Sequence, residues 1–207
     1  TDENPTTTDR QVQVTCTDDT GVSSNVAITT ISVTSEPDRP VVDLDGLATA
    51  PIDFSVTFAE DGGPVPIVDP SDLEIEDLDS TQLSQCVVRL SPTPDGAEEG
   101  LTVFTGTSLI TDSYDAASGR LVLSGLDDIN DYQNALRTVQ YFNNLQHPDT
   151  TTRTAIFVCY DEGNLDNSPV AVSTISISRS NDEPTVDLDE NTAGNGFSAT
   201  YTEDEEP

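Results

Sequence analysis

Residues 4–64 and 147–207 of this chain carry one pattern twice, in the same order and with only one-residue slips between the copies. Cys16 matches Cys159, Pro40 matches Pro184, and Val42-Asp43-Leu44-Asp45 matches Val186-Asp187-Leu188-Asp189. Phe54 matches Phe197, Glu60-Asp61 matches Glu203-Asp204, and Pro64 matches Pro207. The cysteines lie 143 positions apart. Self-similarity at a fixed period marks an array in which each repeat is one structural unit. A period of this length leaves room for one complete repeat, residues 41–184. Residues 1–40 are then the C-terminal part of a preceding repeat and 185–207 the N-terminal part of a following one. Neither flanking piece has enough apolar material to bury a core alone. We expect the sequence to be a window from a longer or processed protein.

Within the repeat, apolar residues alternate with polar ones, the period of a half-buried strand. VVDLD (41–45) puts Val42 and Leu44 on one face and Asp43 and Asp45 on the other. FSVTF (54–58), CVVRL (86–90), LTVFT (101–105), RLVLSG (120–125), RTVQYFN (137–143), RTAIFVCY (153–160) and PVAVSTISISRS (169–180) also read as strands. AEDGGP, PTPDG and DEGN supply turns between them. One stretch departs from this: Ile129, Tyr132, Leu136 and Val139 recur at helical spacing, with Asn130 or Asp131 as the cap. The expected fold is mainly β: antiparallel β-sandwich tandem repeats of Ig or cadherin-like type, one short helix each.

Thirty-nine acidic residues face seven arginines, a formal net charge of −32. A surface of that sign repels nucleic acid and anionic membranes. No apolar run is long enough for a membrane span, so no membrane insertion is expected in this window. Whole-chain disorder would explain the charge but not the strand periodicity, leaving a salt-adapted surface or divalent-cation binding.

Cys86 and Cys159 both lie in strands of the complete repeat. We expect them to form a disulfide, with free buried thiols as the alternative. Cys16, the counterpart of Cys159, would then pair with a cysteine upstream of this window. Zinc is disfavoured, since no Cys-x-x-Cys occurs and His147 is the only histidine. A disulfide implies an oxidising compartment, extracellular or at the cell surface.

RSNDEPTVDL, EDLDS (76–80) and VCYDEGN resemble the linker, the internal Asp-x-Asp and the late Asp-x-Gly turn of cadherin-like tandem repeats. FAEDGGPVPIVDPSDLEIEDLDS and DYQNALRTVQYFNN are similar to the longer cadherin-like repeats of giant microbial and algal surface proteins, and to chondroitin-sulfate-proteoglycan-type repeats. The period exceeds that of a usual cadherin repeat, and Pro37 stands in the first linker where the second has Asn181 or Asp182.

The resemblance implies calcium at the junctions between repeats, held by six to eight oxygens. For the first junction the ligands would be Asp18 and Asp19 from the late turn, Glu36 and Asp38 from the linker, and Glu60, Asp61, Asp77 and Asp79 from the next repeat. For the second they would be Asp161, Glu162, Asn181, Asp182, Glu183, Glu203 and Asp204. The competing reading makes all of these solvated turn residues, which Asp and Asn favour. Asp43 and Asp45, with Asp187 and Asp189, read as an exposed strand face rather than as ligands.

No nucleophile elbow, phosphate loop, dinucleotide fingerprint or EF-hand loop occurs, and catalytic residues are expected to be none. Two functions fit these features. One is a structural module of a long extracellular filament or surface appendage, such as a flagellar mastigoneme. Its partners would be other copies or repeats of the same protein, other fibre subunits or glycans. The alternative is a calcium-dependent adhesin stalk or adhesion module at the cell surface.

Overall fold

The computed structural model describes residues 5–34, 38–46, 51–162, 168–189 and 193–203. Strands β1 (Arg10–Val14) and β2 (Ala27–Ile31) form an antiparallel hairpin with Arg10 opposite Ile31 and Val14 opposite Ala27. Both strands are exposed along their whole length. The core is built from later elements: β3 (Val41–Asp43), β4 (Phe54–Ala59), β5 (Val65–Pro66), β6 (Glu74–Glu76), β7 (Gln82–Ser91), β8 (Glu99–Thr102), β9 (Thr111–Asp115) and β10 (Arg120–Asp128). Helix α1 (Ile129–Leu136) comes next, then β11 (Gln140–Asn143), β12 (Arg153–Asp161) and β13 (Ala171–Ser178).

The protein is mainly β, with one sandwich core. One layer is a six-stranded sheet in the order β4-β13-β12-β7-β10-β9. Its pairs are antiparallel except β4 with β13, which run parallel from Phe54 opposite Ser173 to Ala59 opposite Ser178. Across the core lie the sheet β5-β11-β8, the pair β3-β6 and α1. Alternation delivers the core. Along β12, Arg153, Ala155, Phe157, Cys159 and Asp161 point inward and are buried, while the residues between them are half-exposed. Phe58 of β4 meets Tyr141 of β11 edge-to-face, ring centroids 5.2 Å apart. Among the described residues the buried hydrophobic core runs from Val42 to Ile175.

Three local features differ from the expected ones, the first being the strand read at 137–143, which starts only at Gln140 because Arg137 caps the helix C-terminus. The helix takes Asp128 as its N-cap, with no side-chain cap bond, so Asn130 and Asp131 sit inside the first turn. The chain arrives there through a bulge in β10 between Ser124 and Asp127. Gly125 adopts φ 135° in that bulge, a conformation L-residues avoid, and its carbonyl accepts from the Tyr132 hydroxyl at 2.6 Å. The strand expected at 101–105 begins earlier, at Glu99, and stops at Thr102. Phe104 leaves the sheet because its backbone N–H and carbonyl both bond the Thr138 hydroxyl.

Two cross-links hold the layers and strands together. Cys86 of β7 and Cys159 of β12 face each other in register and form a disulfide, Cα atoms 4.1 Å apart, both side chains buried. Arg153 at the start of β12 reaches across the core. Its Nε donates to Glu99 Oε2 at 2.8 Å and its Nη2 to Asp95 Oδ2 at 2.7 Å. Its Nη1 donates to the carbonyls of Asp149 and Thr151. The Tyr141 hydroxyl donates to the same Glu99 oxygen at 2.7 Å, and Asn143 Nδ2 to Asp95 at 2.8 Å. Arg153 is 0% exposed and Glu99 1%. Burial alone would lower the guanidinium pKa, and Glu99, Tyr141 and Asp95 together outweigh it, so the net shift is upward. Burial first and the Glu99 bond second hold the Tyr141 phenol well above its ordinary range.

Removing one partner of this pair strands the other as a buried charge. Arg153→Met is expected to cost about 3–5 kcal/mol, read by urea unfolding, whereas Arg153→Met combined with Glu99→Leu recovers much of that loss. The disulfide spans 73 positions. Its removal in a Cys86→Ala, Cys159→Ala double variant is expected to cost about 4 kcal/mol in the same assay.

Candidate functional site

The strand registers sort the acidic residues to two ends of the sandwich. β3 runs antiparallel to β6 with Val41 opposite Glu76, so Asp38, before β3, and Asp77 and Asp79, after β6, share the leading end. β12 also finishes there, with Asp161 opposite Leu83 at the start of β7 and Glu162 just beyond. At the trailing end β4 and β13 finish together, which puts Glu60 and Asp61 beside Ser180, Asn181 and Asp182. The grouping read from the sequence is therefore rearranged. Glu60 and Asp61 belong with the linker residues Asn181 and Asp182, and Asp161 and Glu162 belong with Asp77 and Asp79.

The leading end is organised by Asp77. Its Oδ1 accepts from the backbone N–H groups of Asp79 at 3.1 Å and Ser80 at 2.9 Å, a local Asx turn. Its Oδ2 is buried and has no partner, and neither has Asp38 Oδ2. Burial, with the Asp79 charge adding to it, raises the Asp77 carboxyl despite the two N–H donors. Asp79 and Glu162 are exposed and Asp161 is buried. An open cleft of about 360 Å³ lies alongside, between Asp77, Ser80, Thr81 and the first turn of α1.

At the trailing end Glu60 is 5% exposed. Its Oε2 accepts from the Ser180 N–H at 2.7 Å, while Oε1 is buried without a partner. Asp61 adopts φ 61° and accepts from Gln146 Nε2 at 3.2 Å. Asn181, Asp182 and Glu183 are exposed, as is Glu203 further along. Glu36 and Asp204 lie outside the described residues.

In the hairpin, Asp18 is a turn organiser. Its Oδ1 accepts from the Thr20 N–H, the Thr20 hydroxyl and the Val22 N–H at 2.8–3.0 Å, and these bonds, the Val22 one foremost, lower its carboxyl. Asp19 is exposed beside it.

Asp43 is not on an exposed strand face. It is 2% exposed, and its Oδ1 accepts from the N–H groups of Asp45 at 3.1 Å and Gly46 at 2.9 Å. The strand ends at Asp43, so alternation no longer applies and the carboxylate turns in to close the bend. Asp45 Oδ1 is buried and unpartnered, and its carboxyl is raised by burial first, then by Asp43 and Asp69. Asp187 is exposed and closes the matching bend by accepting from the Asp189 N–H at 2.9 Å.

Buried carboxylate oxygens without donors are the hard-oxygen ligands that a divalent cation such as calcium takes. The donor type therefore fits. The number does not complete a shell: among the described residues no group of three or more His, Cys, Asp or Glu converges as a metal site. The residues that sequence reasoning missed are Asp69, Asp95, Glu99 and Arg153. For Arg153 a signal was present, because it shares the inward face of Ala155, Phe157 and Cys159 and matches Arg10 in the repeat.

No family model matches the chain, and no curated protein matches it. Among solved structures it is similar to one named BspA_C_WT, at 13% identity and a TM-score of 0.29, covering 82% of this chain and 60% of that one. It is also similar to the C-terminal domain of the Streptococcus pyogenes antigen I/II-family protein AspA, at 11% identity and a TM-score of 0.27, covering 82% of this chain and 54% of that one. The chain thus spans little more than half the length of the structures it matches. Among the described residues no helix is long and apolar enough to cross a membrane.

The raised Asp45 carboxyl fixes a sign for pH dependence. A group whose folded-state pKa lies above its unfolded value stabilises when protonated, and that contribution is lost as pH rises through the folded value. Asp45→Asn is therefore expected to raise the thermal midpoint at pH 7 and to shrink the gain that the parent chain shows on moderate acidification. A lower midpoint for Asp45→Asn at pH 7 would contradict this.

Proposed function

We propose that the chain is a structural tandem-repeat module of a long extracellular filament or surface appendage. The supporting observation is that the β1–β2 hairpin repeats the strand register of the β12–β13 hairpin and its cysteine–serine bonds. Arg10 faces Ile31 as Arg153 faces Ile175. The Cys16 N–H donates to Ser24 Oγ at 2.9 Å and the Ser24 N–H to the Cys16 carbonyl at 2.7 Å. The Cys159 N–H and Ser168 do the same, at 2.9 and 2.7 Å. Two successive repeats thus share one local structure, as units stacked along one chain do. The buried disulfide supports an oxidising compartment outside the cell.

In this reading the module's work is mechanical. The repeats set length, and the Cys86–Cys159 and Arg153–Glu99 links stiffen each unit. Calcium at the junctions is a further part of the proposal, supported by the unpartnered oxygens of Asp38 and Asp77 at the leading end and of Glu60 at the trailing end. The remaining ligands would come from the neighbouring repeat. No chemistry beyond charge neutralisation is asked of the ion.

Electron microscopy of chains carrying increasing numbers of repeats tests the module reading. Rods whose length grows in proportion to repeat number are expected, and compact particles of constant shape would contradict it. For calcium the expected outcome is a higher thermal midpoint with calcium than with chelator, as ligand binding to the folded state alone requires. That rise should be lost in Asp77→Asn, and the absence of any calcium-dependent shift in a chain of two complete repeats rules calcium out.

A further inference from the structure

The six-stranded sheet has two faces, and only one looks into the core. Val88 and Leu90 of β7 are buried on that side, as are Leu121 and Leu123 of β10 and Phe157 of β12. The residues between them point the other way. The registers set them in rows across the strands. Val158, Val87 and Val122 form one row, with Val170 just before β13 at its end, and Val172, Ile156, Arg89 and Arg120 form the next. The valines within the strands and Ile156 are half-buried, and Val170 is 53% exposed. Among the described residues no further layer lies over them. In an array of stacked repeats each unit touches its neighbours at its ends, so this face stays outside whatever precedes or follows. The fold does not require it to be apolar. The preceding repeat has Gln13 and Thr15 at the positions of Ile156 and Val158.

The charges on this face are as unusual. Arg89 and Arg120 stand directly opposite each other on β7 and β10, and both are exposed. Like charges so placed repel. Among the described residues neither guanidinium has an ion pair or a side-chain hydrogen bond, in a chain of net charge −32. Asp115 is opposite Arg120 on its other side, but its Oδ1 accepts from the Ala117 N–H at 3.1 Å and its Oδ2 from the Ser118 hydroxyl at 2.6 Å. At the far end of the same row Asp53, just ahead of β4, is exposed and accepts from the Val172 N–H at 2.7 Å through Oδ1 alone. In strand order β4-β13-β12-β7-β10 the row is therefore Asp53, Val172, Ile156, Arg89, Arg120. Turned over about a line along β12, it is its own complement: acid falls on arginine and isoleucine on isoleucine.

We propose that this face is a lateral interface between two copies of the chain, related by a two-fold axis running along β12. Ile156 then meets Ile156 of the second copy, and Val158 meets Val158. Each Asp53 lies over Arg120 of the other copy. Each Val172 lies over the aliphatic stem of the other Arg89, as β13 crosses β7. The sheets stack face to face, in the aligned geometry of a sandwich. An apolar patch rimmed by charge is the usual form of such a contact. Its apolar centre supplies affinity, and the two Asp53–Arg120 pairs at the rim set the register. The contact is isologous, so it closes at two copies. It adds side-by-side pairing to the end-to-end module reading above.

The test uses the 207-residue chain with Cys16→Ser, so that its free thiol does not cross-link copies. Sedimentation is run at about 0.15 M salt, where a screening length of about 8 Å limits the repulsion between two acidic chains. A monomer–dimer equilibrium without larger species is expected, and Ile156→Lys is expected to return the chain to monomer. Arg120→Asp and Asp53→Arg are each expected to weaken the dimer about tenfold, because the axis counts every change twice, and together to restore it. An unchanged melting transition in each variant shows that a loss is not misfolding. Oxidised Thr154→Cys chains, substituted next to the axis, are expected to cross-link in pairs, while Thr111→Cys chains, substituted on β9 outside the overlap, stay single. A chain that is monomeric at every concentration overturns the proposal. So does a dimer indifferent to Ile156→Lys, a double reversal that restores nothing, or equal cross-linking from both positions. Each of these leaves the module reading standing, because that reading is judged on rods built from covalently joined repeats.

Discussion

Strand β12 carries most of what makes the repeat one body. Its first residue, Arg153, crosses the core to Glu99 and Asp95. Its seventh, Cys159, is bonded to β7, and β13 lies along its other edge. The arginine is a costly choice, because a guanidinium out of water must recover its hydration from fixed partners. Here four donated hydrogen bonds do so, two to carboxylates and two to carbonyls. The arrangement suits a planar fork of donors, so a lysine cannot replace it. It also ties residues 95 and 149 to the sheet, which is why the turns at this end are ordered around Asp95.

The hairpin β1–β2 shows the same sequence pattern without those partners. Arg10 occupies the position of Arg153 and keeps its bonds to the carbonyls four and two residues back, here Thr6 and Thr8, but among the described residues it has no counterpart of the Glu99 and Asp95 bonds. Cys16 occupies the position of Cys159 and is a free thiol. Local structure therefore forms from short-range hydrogen bonds alone, down to the Cys–Ser exchange in the turn. Burial does not, because it needs the strands of a whole repeat. The hairpin alone therefore has its apolar face in water.

Much of this was legible in the sequence because the repeat and the period of two act independently. The repeat paired the β1–β2 hairpin with β12–β13, whose registers match, and alternation located β4, β7, β10, β12 and β13. The spacing of Ile129, Tyr132 and Leu136 marked the helix that the structure shows. Alternation misled where a strand stops. Asp43 reads as outward by parity, yet the chain bends there and its carboxylate closes the turn. Strand β8 ends early for a similar reason, when Thr138 captures the backbone of Phe104. The grouping of acids by junction failed because sequence order does not say at which end of a sandwich a strand finishes. Only the registers of β4 with β13 and of β12 with β7 do. The Arg153 network was illegible for another reason. Asp95 and Glu99 lie more than fifty positions from the arginine, and they sit by a turn where acidic residues are ordinary.

The protein is thus a braced core from Val42 to Ile175, flanked by segments whose sequence repeats parts of it. Its stability is concentrated in β7, β12 and β13, and the flanking segments have only local bonds to hold them. Native-state hydrogen exchange on dilute chain measures this directly. Amides of β7 and β12 are expected to exchange only through global unfolding and to slow together. Amides of β1 and β2 should exchange at much lower cost under the same conditions. If β1 and β2 were protected to the level of β12 in dilute monomer, the claim that Arg153 and the disulfide confine the cooperative unit to the complete repeat would be wrong.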